Sequence, residues 1–128
     1  MKSKLRKIVV NDLEYLYSVN NKYHLGTETC TLTIKVFLRE QKQTPLIIDF
    51  LTVEHYFVGQ VLNTGINLIN KITNSTDLIN LNEPNYIRNL ILLGQKHGWI
   101  GINKIENQDG LNYLAEMGYE TEVLKPKT

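Results

Sequence analysis

Asp49 and His55 stand six residues apart, with Glu54 beside the histidine, and they are the side chains in this sequence best placed for proton transfer. A carboxylate and an imidazole that converge on one pocket make a general acid–base pair. The competing reading has Asp49 bonding neighbouring backbone and His55 closing a strand. His24 and His97 are distant from His55 and from each other, and none of the three has the i, i+4 spacing of a helical zinc site, so no metal is signalled. The single cysteine, Cys30, excludes an internal disulfide and a cysteine-based zinc cluster. It falls in phase with Leu32, Ile34, Val36 and Leu38, the pattern of a buried thiol rather than a nucleophile. A Gly-x-Ser-x-Gly elbow is missing, and Gly94, Gly98 and Gly101 follow a helical segment where phosphate-cradling glycines would precede one. No cofactor is expected.

The aromatic residues suggest binding. Tyr15, Tyr17 and Phe37 would form a partner-binding patch if they shared one uncovered sheet face, because large rigid rings provide contact area at small entropic cost. Stacking on nucleic-acid bases is disfavoured by the lack of interleaved arginine and lysine. Fourteen basic and thirteen acidic residues leave a net charge of +1, too little to hold a polyanion. The local excess at Lys2, Lys4, Arg6 and Lys7 reads as a solvated tail, so nucleic acid is not the expected partner.

These residues need elements to position them. Ile8-Val9-Val10, a turn at Asn11-Asp12 and the alternation of Leu13, Tyr15, Tyr17 and Val19 predict a hairpin, followed by a loop from Asn20-Asn21-Lys22 to Gly26. Cys30 to Leu38 is the clearest strand. After a polar loop over 39–45, Leu46 to Val53 reads as a central strand covered on both faces, interrupted only by Asp49. Between 54 and 81 a helix from Val53 to Leu62 competes with strands. The preferred reading puts strands near Ile66–Ile72 and Leu78–Leu81, with a turn at Asn74-Ser75-Thr76-Asp77.

The stretch from Asn82 to Trp99 holds a complete helix. Asn82 is placed to cap it, Pro84 and Glu83 suit its first turn, and Tyr86, Ile87, Leu90, Ile91, Leu93 and Gly94 recur on one face. Lys96 and His97 suit the negative end of the helix dipole, and Gly98 fits a left-handed cap that folds Trp99 back. A shorter helix over Gln108–Met117, with Leu111, Leu114 and Ala115 inward, and a closing strand from Tyr119 to Leu124 complete the reading.

A chain of 128 residues with 42% hydrophobic and 21% charged side chains suffices for one core, so residues 1–128 are read as a single domain. The class is α+β: a mainly antiparallel sheet of about five or six strands packed by one long helix and one short C-terminal helix, because strands precede helices instead of alternating with them. No segment has signal-peptide or membrane-spanning character, so a cytoplasmic protein without membrane contact is expected.

The segment Leu81-Asn82-Glu83-Pro84-Asn85-Tyr86-Ile87-Arg88 through Gly98-Trp99, after a β-rich half that begins Lys7-Ile8-Val9-Val10-Asn11-Asp12-Leu13-Glu14-Tyr15, resembles small uncharacterised bacterial α+β proteins of the toxin-immunity or mobile gene-cassette type. The resemblance implies a compact protein that works by binding another protein, and it transfers no functional residue. The expectation is therefore a non-enzymatic protein-binding accessory, with an immunity-type inhibitor as its specific form and homo-oligomerisation left open. The alternatives are a pocket protein using Asp49 and His55, and a weak nucleic-acid binder.

Overall fold

A computed structural model describes residues 5–55 and 59–125; the side chains of Glu54, His55 and Thr64 are outside the described set. The Val53–Leu62 helix reading, Lys2 and Lys4 fall wholly or partly outside it as well. The fold is α+β. Four long strands, β1 (Arg6–Val10), β2 (Leu13–His24), β3 (Thr29–Leu38) and β4 (Leu46–His55), run as an antiparallel meander in the order β1-β2-β3-β4. Two-residue strands extend it beyond β4: β5 (Gly59–Gln60) pairs antiparallel with 54–55, and β8 (Gln108–Asp109) pairs parallel with 48–49. A separate hairpin is formed by β6 (Ile66–Asn70) and β7 (Ser75–Ile79). The helices are the single turn α1 (Val61–Thr64), α2 (Pro84–Lys96) and α3 (Gly110–Glu116), with a final 3-10 turn over Glu122–Leu124.

The first hairpin follows the sequence signal closely. Asn11 and Asp12 both have positive φ, at 50° and 67°, which makes a two-residue turn whose twist matches that of the flanking strands. The expected loop at Asn20-Asn21-Lys22 is instead strand, because these residues pair with Thr33, Leu32 and Thr31. There β2 continues its ladder into solvent, where polar side chains stay hydrated while the backbone groups remain bonded.

Strand pairing places Tyr15, Tyr17, Leu32, Ile34, Val36, Leu46, Ile48 and Phe50 on one face, all of them buried. The helices and the second hairpin cover that face with Leu62, Leu68, Ile79, Ile87, Leu90, Ile91, Leu111 and Leu114, in one continuous core. The reading of β4 as covered on both faces is corrected: Leu51 on its outer face is exposed, and Ile47, Asp49 and Val53 are only half-buried.

Four local expectations also change. Glu83, not Asn82, occupies the N-cap of α2 and makes no side-chain cap bond. The Asn82 amide donates to the Asn63 carbonyl at 3.0 Å and to Asn63 Oδ1 at 2.7 Å, a tertiary link that competes with capping. The turn between β6 and β7 falls at 71–74, because Asn70 Oδ1 accepts from the Ile72 and Thr73 amides at 2.9 and 3.2 Å. The closing strand reduces to one bridge between Asn70 and Tyr119, after which the 3-10 turn buries Leu124. In α3, Tyr113 is inward where Ala115 was expected, and Ala115 is exposed.

Gly110 opens α3 against the Phe50 ring, and a Cβ there would overlap Phe50 Cγ, Cδ2 and Cε2. Helix propensity favours alanine over glycine, whereas packing forbids it here. Gly110→Ala is expected to destabilise the fold by about 1–3 kcal/mol, read as a lower urea midpoint at unchanged m-value.

Candidate functional site

The face of the meander opposite the core carries Lys7 and Val9 from β1, Glu14, Leu16 and Ser18 from β2, Thr31, Thr33, Lys35 and Phe37 from β3, and Ile47, Asp49, Leu51 and Val53 from β4. On it Val9, Lys35 and Leu51 are exposed, Leu16, Ile47, Asp49 and Val53 are half-buried, and Ser18 and Phe37 are buried. Leu16 stands opposite Phe37 across β2 and β3, with Ile47 diagonal to Phe37, and together they form an apolar centre flanked by exposed Val9. Phe37 is only 5% exposed yet does not join the core cluster of the other face.

Polar side chains around this centre are held in place. Glu14 pairs with Arg39 Nη1 at 2.9 Å and with Lys7 Nζ at 3.6 Å. Thr33 Oγ1 donates to Asp49 Oδ1 at 2.6 Å, and Asn107 Nδ2 donates to Asp49 Oδ2 at 3.3 Å. His24 Nε2 bonds Thr31 Oγ1 at 2.7 Å. Each exposed ion pair is worth little in stability, but together they fix a polar margin around an apolar strip.

The aromatic patch expected from sequence is therefore corrected. Tyr15 and Tyr17 are each 2% exposed and belong to the core, whereas Phe37 is on the opposite face. Tyr15 packs against Trp99 with ring centroids 5.7 Å apart, and its hydroxyl accepts from Gln95 Nε2 at 3.0 Å. Asp49 and His55 share one parity of β4, but six residues of strand separate them by about 20 Å. That spacing does not bring them together as a directly bonded pair, and the His55 side chain is outside the described residues. Asp49 is engaged by Thr33 and Asn107.

The other candidates have structural roles. Cys30 is fully buried, its Sγ accepting from Gln60 Nε2 at 3.3 Å and standing 3.6 Å from Thr52 Oγ1. Gln60 Oε1 in turn accepts from Thr52 Oγ1 and from the Leu62 amide, which starts α1. His97 ends α2, stacks on Tyr113 at 5.2 Å and bonds Glu116 Oε2 at 2.7 Å. Among the described residues, no three histidine, cysteine or carboxylate side chains gather closely enough to hold a metal ion, and no helix is long and apolar enough to cross a membrane.

One polar constellation had no sequence signal. On the helical side of the molecule, α2, the β6–β7 hairpin and the turn after α3 border an open cleft of about 570 Å³. Leu92, Leu93 and Met117 line it with apolar surface, and Asp77, Asn89, Lys96 and Tyr119 supply polar groups. Tyr119 Oη donates to Asp77 Oδ2 at 2.8 Å, and Ser75 Oγ donates to Asp77 Oδ1 at 3.3 Å. Burial, then the bond to Asp77, pushes the Tyr119 phenol up to about 12. Burial and the nearby Glu116 carboxylate do the same for Tyr113. Asp77, Asn89 and Tyr119 come from three separate elements, so no motif announced them. A larger groove of about 680 Å³ between β6 and residues 119–125 is lined by two exposed ion pairs, Lys71–Glu120 at 3.9 Å and Lys125–Glu122 at 3.0 Å.

Compared with protein-family models, with curated proteins and with solved structures, the chain has no match.

The phenol pKa values give a signed prediction. An unfolded tyrosine ionises near 10 while Tyr119 and Tyr113 hold their protons to about 12, so between those pH values the unfolded chain binds fewer protons. Their contribution to stability is full below pH 10 and falls as pH rises towards 12. Melting temperature should drop over that interval, and the drop should be shallower in Tyr119→Phe.

Proposed function

We propose that this chain is a small non-enzymatic protein-binding accessory protein that docks its partner on the outer face of the β1–β4 meander. An immunity-type inhibitor is the specific form favoured by the resemblance of its sequence. One observation carries the reading: the continuous core cluster gathers on one face of the sheet, while the other face bears apolar side chains outside that cluster, Val9 and Leu51 exposed and Leu16 and Ile47 half-buried. A sheet face with half-buried Leu16 and Ile47 over a buried Phe37, exposed Val9 and Leu51, and ordered charges at its margin has apolar surface beside a polar rim, as protein interfaces do. Its strands form a rigid, preorganised platform, so docking would order few side chains.

The enzyme-like alternative is weakened by the separation of Asp49 from His55 along β4. Nucleic-acid binding is weakened by Lys7, whose charge is met by Glu14.

Val9 and Leu51 are exposed on the docking face and support no described core contact. In affinity capture from the cells of origin, the wild-type chain is expected to retain a protein partner. The double variant V9E/L51E should weaken that complex at least about tenfold, because its carboxylates would be desolvated without partners, and should leave the melting temperature unchanged. Retention by the variant equal to wild type, or no captured protein from a folded bait, would overturn the proposal.

A further inference from the structure

The cleft on the helical side has a chemistry distinct from the open sheet face. Along α2, Asn89, Leu92, Leu93 and Lys96 follow one another at i, i+3, i+4 and i+7, so a single stripe of the helix faces the cleft. The opposite wall is Asp77 on β7, and Tyr119 closes the end next to α3.

Asp77 is half-buried, and each carboxylate oxygen accepts one described hydrogen bond. An ionised carboxylate offers about four lone-pair sites, so acceptor capacity remains. Asn89 is half-buried, and its amide has no hydrogen-bond partner among the described residues. No buried side-chain nitrogen or oxygen among the described residues lacks a partner, so the Asn89 amide is within reach of solvent and is free to bond a ligand in place of water. The two tyrosine hydroxyls nearby are already committed, Tyr119 to Asp77 and Tyr86 to the Leu78 carbonyl at 3.0 Å. Lys96 is about two helical turns from Asn89, and its ammonium is 3.7 Å from Glu116, so its charge is partly met away from Asp77.

We propose that this cleft binds a small organic cation, a primary ammonium carried on an apolar body. The ammonium donates to Asp77 and to the Asn89 carbonyl oxygen beside the Tyr119 ring, and the body lies along Leu92, Leu93 and Met117. Three features act in the same direction: a carboxylate with spare acceptor sites, an aromatic face that attracts cations, and an apolar floor of helical side chains. A free phosphate or carboxylate ligand would meet the Asp77 charge and is disfavoured. The inference does not rest on the docking face, because the two sites are on opposite sides of the sheet.

The test uses hexylammonium as probe and 1-hexanol as its neutral counterpart, followed by amide chemical shifts of the full chain. Hexylammonium should give saturable shifts at Asp77, Asn89, Leu93 and Tyr119, with hexanol binding at least about tenfold more weakly for want of the charged contact. Asp77→Asn should reduce affinity about tenfold, and N89A, an exchange that favours the helix, should reduce it less. Both variants are to be checked for wild-type melting and wild-type shifts outside the cleft; if D77N fails this check, N89A and the hexanol comparison decide. Equal binding of alcohol and ammonium, shifts dispersed over the surface, no saturable shift, or affinity unmoved in the folded variants would each overturn the proposal.

Discussion

The structure depends on how α2 ends. Gly98 takes φ 105°, the Gly98 amide donates to the Gln95 carbonyl at 3.1 Å, and the Trp99 amide donates to the Gly94 carbonyl at 2.9 Å. This is a Schellman turn, and it satisfies two of the carbonyls that a helix end leaves unpaired. Its consequence is tertiary: the chain reverses so that the Trp99 ring is fully buried, tilted against Tyr15, with Nε1 donating to the Thr44 carbonyl at 3.0 Å. A buried indole N–H requires an acceptor, and the loop between β3 and β4 provides it. One residue therefore joins α2, that loop and β2, and Gln95 reinforces the joint by donating to the Tyr15 hydroxyl.

Fixing α2 in this way decides which face of the meander is covered. The helix lies close because Gly94 meets Leu46 with no Cβ between them, as Gly110 of α3 meets Phe50. Both glycines point at inner-face residues of β4, so the helical layer is drawn onto one side of the sheet. The outer face must then solve its own solvation problem. It does so with polar side chains bonded to one another, Glu14 with Arg39 and Lys7 at one end, Asp49 with Thr33 and Asn107 at the other. Such contacts add little individually, yet they keep charge beside an apolar strip that would otherwise favour uncontrolled association.

The parts of this fold that were legible in the sequence are those with a local cause. Two left-handed residues fix the Asn11-Asp12 turn, alternation marks Cys30 to Leu38, and proline with glycine bounds α2. What was not legible depends on register or on partners distant in the chain. Tyr15 and Tyr17 share a face by parity alone, but their relation to Phe37 depends on whether Phe37 pairs with Leu16 or with a neighbour one residue away; that single step moves the ring to the other side of the sheet. Asn82 has the right side chain for a cap, and only its tertiary contact with Asn63 shows why it does something else. Asp77, Asn89 and Tyr119 looked ordinary because each belongs to a different element.

The second hairpin shows why the two sides of the molecule can behave differently. A two-stranded ribbon is marginal by itself, so β6–β7 depends on what it touches. Its ties are identifiable: Leu68 and Ile79 buried in the common core, Asn70 Nδ2 to the Met117 carbonyl, the Lys71 amide to the Gly118 carbonyl, the Glu120 amide to the Ile69 carbonyl, and the two tyrosine hydroxyls on Leu78 and Asp77. The β1–β4 meander, in contrast, is bonded strand to strand along most of its length and buries a continuous core. Opening of the ribbon would reshape the cleft and uncover Leu68 and Ile79 but break none of the β1–β4 ladder, so local stability should differ between the two sides. The proposed docking face therefore rests on the strand ladder itself, whereas the proposed guest cleft rests on the packing of Leu68 and Ile79 and on hydrogen bonds made from outside the ribbon.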